Sequence, residues 1–285
     1  MIGYGNSAFL RRNFGSGSTP PSLLLDTYPS AAVAYSLRKL RSAYTGNAIR
    51  VRRTDLAEQD ISFDSNGNLD TTALLSFVGT GVLNNGFITT WYDQSTNANN
   101  ATQATALSQA QIVSSGALIL DVNTSKITST WTNDRYNLTT GISANTKYLS
   151  ISMFRRGVTT TDTLVHLGNS ASTNPTPLLW TGTGSSYSVR SYMPSLLSFQ
   201  NVSTVGRCII TSLKDGSNLK VAYRNGTQLT TTGTEAPTAT TLNTFGQGST
   251  FFTSGQYQEY IYWNSEQSTN RVGIETEINT YWNAY

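Results

Sequence analysis

Asp93 stands at the end of an apolar run and is followed at once by Gln94, Ser95, Asn97 and Asn99, in the stretch GFITTWYDQSTNANNATQ (residues 86–103). One carboxylate and several amides delivered by a buried strand to a surface edge form a set of oxygens and N–H donors. Such a set can hydrogen-bond sugar hydroxyls, or hold a hard cation such as calcium with help from Asn97 and Asn99. The same groups can equally brace the loop by bonding backbone amides that would otherwise be unpaired. Flat aromatic rings are the other half of sugar chemistry, because the apolar faces of sugars stack on them while nearby amides and carboxylates give direction. Trp91, Trp131, Tyr136, Trp180, Tyr187 and Tyr192 are the candidates. Trp180 and Tyr187 stand out because they flank a Gly- and Ser-rich loop. The expected glycan contacts are therefore Trp180, Tyr187, Tyr192, Asp93 and Asn97. Glu259 has two readings: an inward Glu pairs with Arg50 or Arg52, and an outward one is solvated.

Other chemistries are harder to build. The chain holds one His and one Cys, which gives no set of nitrogen and sulfur ligands for zinc, and no metal or cofactor is expected. His166 is the only candidate base for a serine-type triad and lies in the strand-like TLVHLG, where it reads as a satisfied core histidine. Cys208, in the apolar run RCIITSL, reads as a small buried residue. There is no Gly-rich phosphate loop. The net charge of +3 conceals a basic first segment, since residues 1–53 carry eight Lys or Arg and one acid. With no recognition-helix pattern and no basic run interleaved with aromatics, nucleic acid is not an expected partner.

The elements that must carry these residues are mostly short strands. AIRVRR alternates, Asn66-Gly67 marks a turn, and QIVSSGALILDV, YLSISMFRR, TLVHLG, PLLWTG, YSVRSYM and RCIITSL follow at regular spacing. LKVAYRNGTQL reads as a hairpin turning at Asn225-Gly226. Three helical elements are expected: residues 30–44, from Ala31, Ala34, Tyr35 and Leu37; a helical turn in DTTALLSFVG (70–79), with Asp70 as N-cap; and NRVGIETEINTYW, packing Val272, Ile274 and Ile278 on the sheet. Arg38, Lys39 and Arg41 would then lie on a solvated helix face. Residues 1–22 read as an arm that ends in Pro20-Pro21. It is rich in Gly, Ser and Asn, yet it carries Tyr4, Phe9, Leu10, Arg11, Arg12 and Phe14, groups that suit docking onto a neighbour. The fold expected for residues 23–285 is all-β, a two-sheet antiparallel jelly-roll sandwich with a few short helices.

Three segments sharpen this: AYSLRKLRSAYTGNAIRVRR (34–53), ITTWYDQSTNANNATQA (88–104) and GQYQEYIYWN (255–264). Together they resemble the catalytic-domain family of α-L-arabinofuranosidase B, a concanavalin A-like sandwich, and the hairpin at Asn225 is similar to that of laminin-G and pentraxin-like sandwiches. The resemblance implies that Asp93 and Gln94 brace the loop, because YDQS persists in that family whatever the activity. It also implies a Glu nucleophile in the middle of the domain and an Asp acid in a Gly-rich loop before the last strand. The corresponding stretches here, PLLWTGTGSSYSVRSYM and FGQGSTFFTSG, contain neither Asp nor Glu. The family's vicinal cysteine pair is excluded by a single Cys, and its arabinose-binding module has no counterpart in the chain.

The resulting expectation is a chain that is not an enzyme but a structural protein of a bacteriophage virion. It would be a capsid-surface or tail appendage, attached to other virion proteins by the arm and presenting a lectin-like sandwich to a cell-surface glycan. Similar sandwiches without a catalytic pair are familiar from phage structural proteins. The start of the chain lacks the apolar core of a secretory signal, and no segment reaches the length of a membrane span. Synthesis in the host cytoplasm and a homo-oligomer, taken as a trimer, complete the expectation. The alternatives are a free carbohydrate-binding lectin, and a glycoside hydrolase or depolymerase with relocated carboxylates drawn from Asp93, Asp134 and Glu259.

Overall fold

A computed structural model describes residues 23–144, 147–156, 163–170, 176–183, 186–192, 196–201, 206–217, 219–230, 233–234, 240–248 and 250–285. The 13-residue strand Phe251–Trp263 is its spine. Along one edge it pairs with Ser129–Asp134 and then with Val33–Ser36, and along the other with Tyr148–Arg156. The ladder continues through Gly206–Lys214 to Leu219–Arg224. A second run links Glu58–Ile61, Ile49–Arg53, Gly86–Trp91, Ala101–Thr102, Tyr136–Ala144, Thr240–Phe245 and Leu167–Gly168. Every one of these pairings is antiparallel, and the result is an open β-sandwich with few short helices, as expected from the strand pattern. A smaller antiparallel sheet joins Leu164–Val165, Thr176–Thr183, Ser186–Tyr192 and Leu196–Asn201.

The core between the layers is aromatic. Phe245 lies within 5.1–6.4 Å, ring centre to ring centre, of Tyr35, Trp91, Trp131, Tyr136, Tyr257 and Tyr260. Tilted and edge-on pairs of this kind add to plain burial of apolar area. Trp91, Trp131 and Tyr136 are therefore core residues with at most 1% exposure, and they offer no face to a sugar. His166 is fully buried with both ring nitrogens satisfied, Nδ1 at 2.7 Å from the Ser150 hydroxyl and Nε2 at 3.0 Å from that of Ser152. Burial drives its pKa down to about 3, so the ring is neutral at ordinary pH. Cys208 is buried as well, and burial pushes its thiol up to about 11.

Several expectations are corrected here. Residues 30–44 do not form a helix: Val33–Ser36 is a strand buried at every position, paired with Tyr262, Ile261, Tyr260 and Glu259. A short apolar run looks the same to periodicity whether it is a buried strand or a helix face, and a long partner strand with a free edge decides the outcome. Arg38 consequently points inward at 3% exposure. The helices Thr71–Val78 and Arg271–Trp282 are present, and the Asp70 carboxylate caps the first by accepting the Ala73 N–H at 2.9 Å. Ile274 and Ile278 are buried, but Val272 faces solvent. Asn225 and Gly226 both take positive φ, 51° and 75°, as a tight two-residue hairpin turn requires. The arm residues Tyr4, Phe9, Leu10, Arg11, Arg12 and Phe14 lie outside the described residues. Among the described residues no helix is long and apolar enough to cross a membrane.

Candidate functional site

The Asp93 loop is a brace. The strand Gly86–Trp91 delivers Asp93 beneath the surface at 2% exposure. Its Oδ1 accepts the N–H groups of Ala34 at 2.8 Å and Ser95 at 2.9 Å; its Oδ2 accepts the Ser95 hydroxyl at 2.6 Å and the Asn99 N–H at 2.9 Å. A carboxylate has about four lone-pair sites, and these four donors fill them. Burial raises the Asp93 pKa, against the pull of those hydrogen bonds. Gln94 extends the brace, accepting the Leu40 N–H and donating to the carbonyls of Ser36 and Arg38. Asn99 is bonded to both backbone groups of Thr140. The sugar-binding expectation for Asp93 is thus corrected, because its oxygens are enclosed and taken. Asn97 is exposed, but its amide N–H groups hold the carbonyls of Ala31 and Ala32, which leaves it only the side-chain oxygen for a ligand.

The other buried acids sort by their partners. Glu259 accepts from Arg38 through both oxygens at 2.7 and 3.0 Å, and from the Ser36 hydroxyl and the Trp282 indole. Its expected partners are engaged elsewhere: Arg50 pairs with Glu58 and Asp60 at the surface, and Arg52 donates to Gln109. Asp121 holds Arg155 and Arg207. Glu275 accepts from Thr211 and Arg271. Each of these carboxylates has a guanidinium beside it.

Asp134 has none. It ends the strand Ser129–Asp134, follows Asn133 in a left-handed turn at φ 60°, and is 4% exposed. One backbone donor, the Thr132 N–H at 2.6 Å, is its hydrogen-bond partner among the described residues. The neighbouring Arg135 lies over the Phe252 ring. Burial with so little compensation drives the Asp134 carboxyl up to about 6. Gly246 closes over this corner at φ 82°, where an added Cβ would stand 2.5 Å from the Trp131 ring. A carboxyl that keeps its proton up to about pH 6 is a proton donor of the kind that glycoside hydrolysis uses.

The remaining expected contacts are only partly placed. Trp180 pairs with Val189, Tyr187 with Gly182 and Tyr192 with Thr176 in the small sheet, while their side chains lie outside the described residues. Sequence reading passed over Lys126, Tyr281 and Trp282, which wall one cavity. An exposed-looking Lys and a C-terminal helix 155 residues later carry no local signal of their meeting.

No family model and no curated protein matches the sequence. Solved structures do. An arabinofuranosidase complexed with arabinofuranosyl-α-1,2-xylobiose shares the fold with a TM-score of 0.65 at 15% identity, over 87% of this chain and 62% of its own. A GH54 α-L-arabinofuranosidase soaked with a cyclic sulfate inhibitor gives 0.66 at 16% over the same shares. A sialidase of Trypanosoma rangeli gives 0.47 at 9%, over 68% of this chain and 31% of its own. The chain thus spans less than two thirds of the arabinofuranosidases it resembles, and identities this low carry the fold alone. The two arabinofuranosidases count against the expectation that the chain is not an enzyme, because the sandwich it shares with them is a fold that carries glycoside hydrolases.

The isolated carboxyl makes a pH prediction. The folded state holds the Asp134 proton up to about pH 6, whereas the unfolded chain releases it near 3.8. Stability contributed by the protonated form is present below the lower value and is lost as pH rises through the upper one, by roughly 3 kcal/mol in all. Asp134→Asn is therefore expected to be as stable as the wild type near pH 4 and more stable at pH 8, measured by denaturant midpoints. A constant difference across that range would contradict the assignment.

Proposed function

We propose that this chain is a glycan-engaging β-sandwich of a bacteriophage particle, attached through residues 1–22 as a capsid-surface or tail appendage. The observation that carries the glycan half is the sandwich common to this chain and the two arabinofuranosidases over 87% of its length. The virion half is supported by the sequence. Residues 1–22 combine linker composition with Tyr4, Phe9, Leu10 and Phe14, the body is rich in Thr, Ser, Asn and Gly, and a single Cys suits folding in a host cytoplasm. Attachment in several copies, taken as a homotrimer, would let weak sugar contacts gain avidity.

Asp134 favours a hydrolytic form of the same reading. Its raised pKa suits protonation of a glycosidic oxygen, and a second carboxylate flanking the bond would act as base or nucleophile. Trp180, Tyr187 and Tyr192 remain the proposed stacking surface.

Purified protein incubated with a panel of bacterial and plant glycans should retain at least one of them. Release of reducing ends that disappears in Asp134→Asn, with retention kept, would establish the hydrolytic form. Neither retention nor release from any glycan would overturn the glycan reading. Deleting residues 1–22 should abolish incorporation into particles while leaving glycan retention intact; unchanged incorporation would remove the role of the arm.

A further inference from the structure

The turn between Leu120 and Ile127 is held rigidly by one acid. Asp121 Oδ1 accepts the N–H groups of Asn123 and Thr124 and the Thr124 hydroxyl, each at 3.0 Å, and Arg207 at 2.9 Å. Oδ2 accepts Arg155 at 3.2 Å. This turn projects Lys126 over the C-terminal helix, with Nζ 3.9 Å from the centre of the Tyr281 ring and 5.7 Å from that of Trp282. The lysine makes no ion pair among the described residues. Burial lowers its pKa, and the charges of Arg38 and Arg207 lower it further. It is a half-buried cation held on aromatic rings, without an ion-pair partner among the described residues.

Lys126 opens onto a cavity of about 360 Å³, a size suited to a small ligand. Leu118, Leu120 and Ile127 form its apolar side. Ser125 and Thr71 line it too, and their hydroxyls have no protein partner among the described residues. The remaining polar wall is already engaged. Tyr281 donates to Asn68 Oδ1, and Asp64 accepts the N–H groups of Asn66 and Asn68 and the Asn68 amide. Asp64 keeps its charge at one side of the cavity, and what is left for a ligand is one ammonium, two hydroxyls and an aliphatic surface.

We propose that this cavity binds an acidic saccharide, with the carboxylate of a uronic acid residue against Lys126 Nζ, ring hydroxyls on Ser125 and Thr71, and the sugar's apolar face on Leu120 and Ile127. A ligand carboxylate gives Lys126 the ion-pair partner it lacks among the described residues, through a charge-assisted hydrogen bond. A neutral sugar would leave the cation unmatched. The inference rests on the glycan reading above and names its charge class and a second location, separate from Asp134 and from the small sheet.

Calorimetric titration of the full chain with tetragalacturonate tests it. Binding is expected, at least tenfold weaker for the methyl-esterified tetramer and for Lys126→Met, and largely kept in Lys126→Arg. Thr71→Val, which leaves the cation–ring stack in place, should weaken binding severalfold and guards against a folding defect in the lysine variant. Equal affinity of wild type and Lys126→Met, no binding of tetragalacturonate, or displacement by acetate at equal concentration would each overturn the proposal. If neutral glycans are still retained on the panel, only this site fails; if nothing is retained, the glycan reading fails with it.

Discussion

The buried contact between Arg38 and Glu259 is the constraint on which the rest of the molecule depends. Both side chains are at most 3% exposed, and they meet through two hydrogen bonds across 221 residues of sequence. Removing two charges from water is costly, and the cost is recovered only when geometry and further partners are good. Here Ser36 and Trp282 complete Glu259, while Glu277 takes the outer edge of the guanidinium at 2.7 Å. Burial alone would pull the Arg38 pKa down, but Glu259 and Glu277 outweigh it and raise it, so the cation is locked on. The cluster fixes the Val33–Ser36 strand to the edge of the spine and the C-terminal helix to the sheet. It thereby also sets Tyr281 and Trp282, the wall against which Lys126 rests.

Much of this was legible in the chain. Alternation and turn residues marked the sandwich, Asn225-Gly226 marked its hairpin, and Asp70 and the run after Asn270 marked two helices, because each signal is local. What was not legible was decided at a distance. Val33–Ser36 reads as a helix face until the edge of the last strand is available to pair with it. Arg38 reads as a surface charge until Glu259 and Glu277 arrive from the far end of the chain. Asp93 was legible as either a ligand group or a brace, and only its four donors, three of them from Ser95 and Ala34, separate the two.

The same logic distinguishes structural from chemical acids. Glu259, Asp121 and Glu275 each have a guanidinium partner, and Asp93 has a full shell of donors, so their oxygens are engaged inside the protein. Among the described residues Asp134 and Lys126 stand apart from these acids: a buried carboxyl with one donor, and a half-buried ammonium that rests on aromatic rings without an ion-pair partner. Groups held in that state are destabilising unless something else uses them, which is why perturbed residues of this kind gather where ligands bind. Asp134 was legible only as one of three acids that could be relocated carboxylates, and Lys126 not at all, because its ring partners come from a helix 155 residues later.

A double-mutant cycle at Arg38 and Glu259, read as unfolding free energy in denaturant, tests this account most directly. Arg38→Met and Glu259→Gln should each destabilise the chain, the former by roughly 3–5 kcal/mol because it strands a buried carboxylate. The double variant should lose less than the sum, with a coupling of about 1–3 kcal/mol. Strictly additive losses, or a fully stable Arg38→Met, would show that the ion pair does not hold the two ends of the sandwich together.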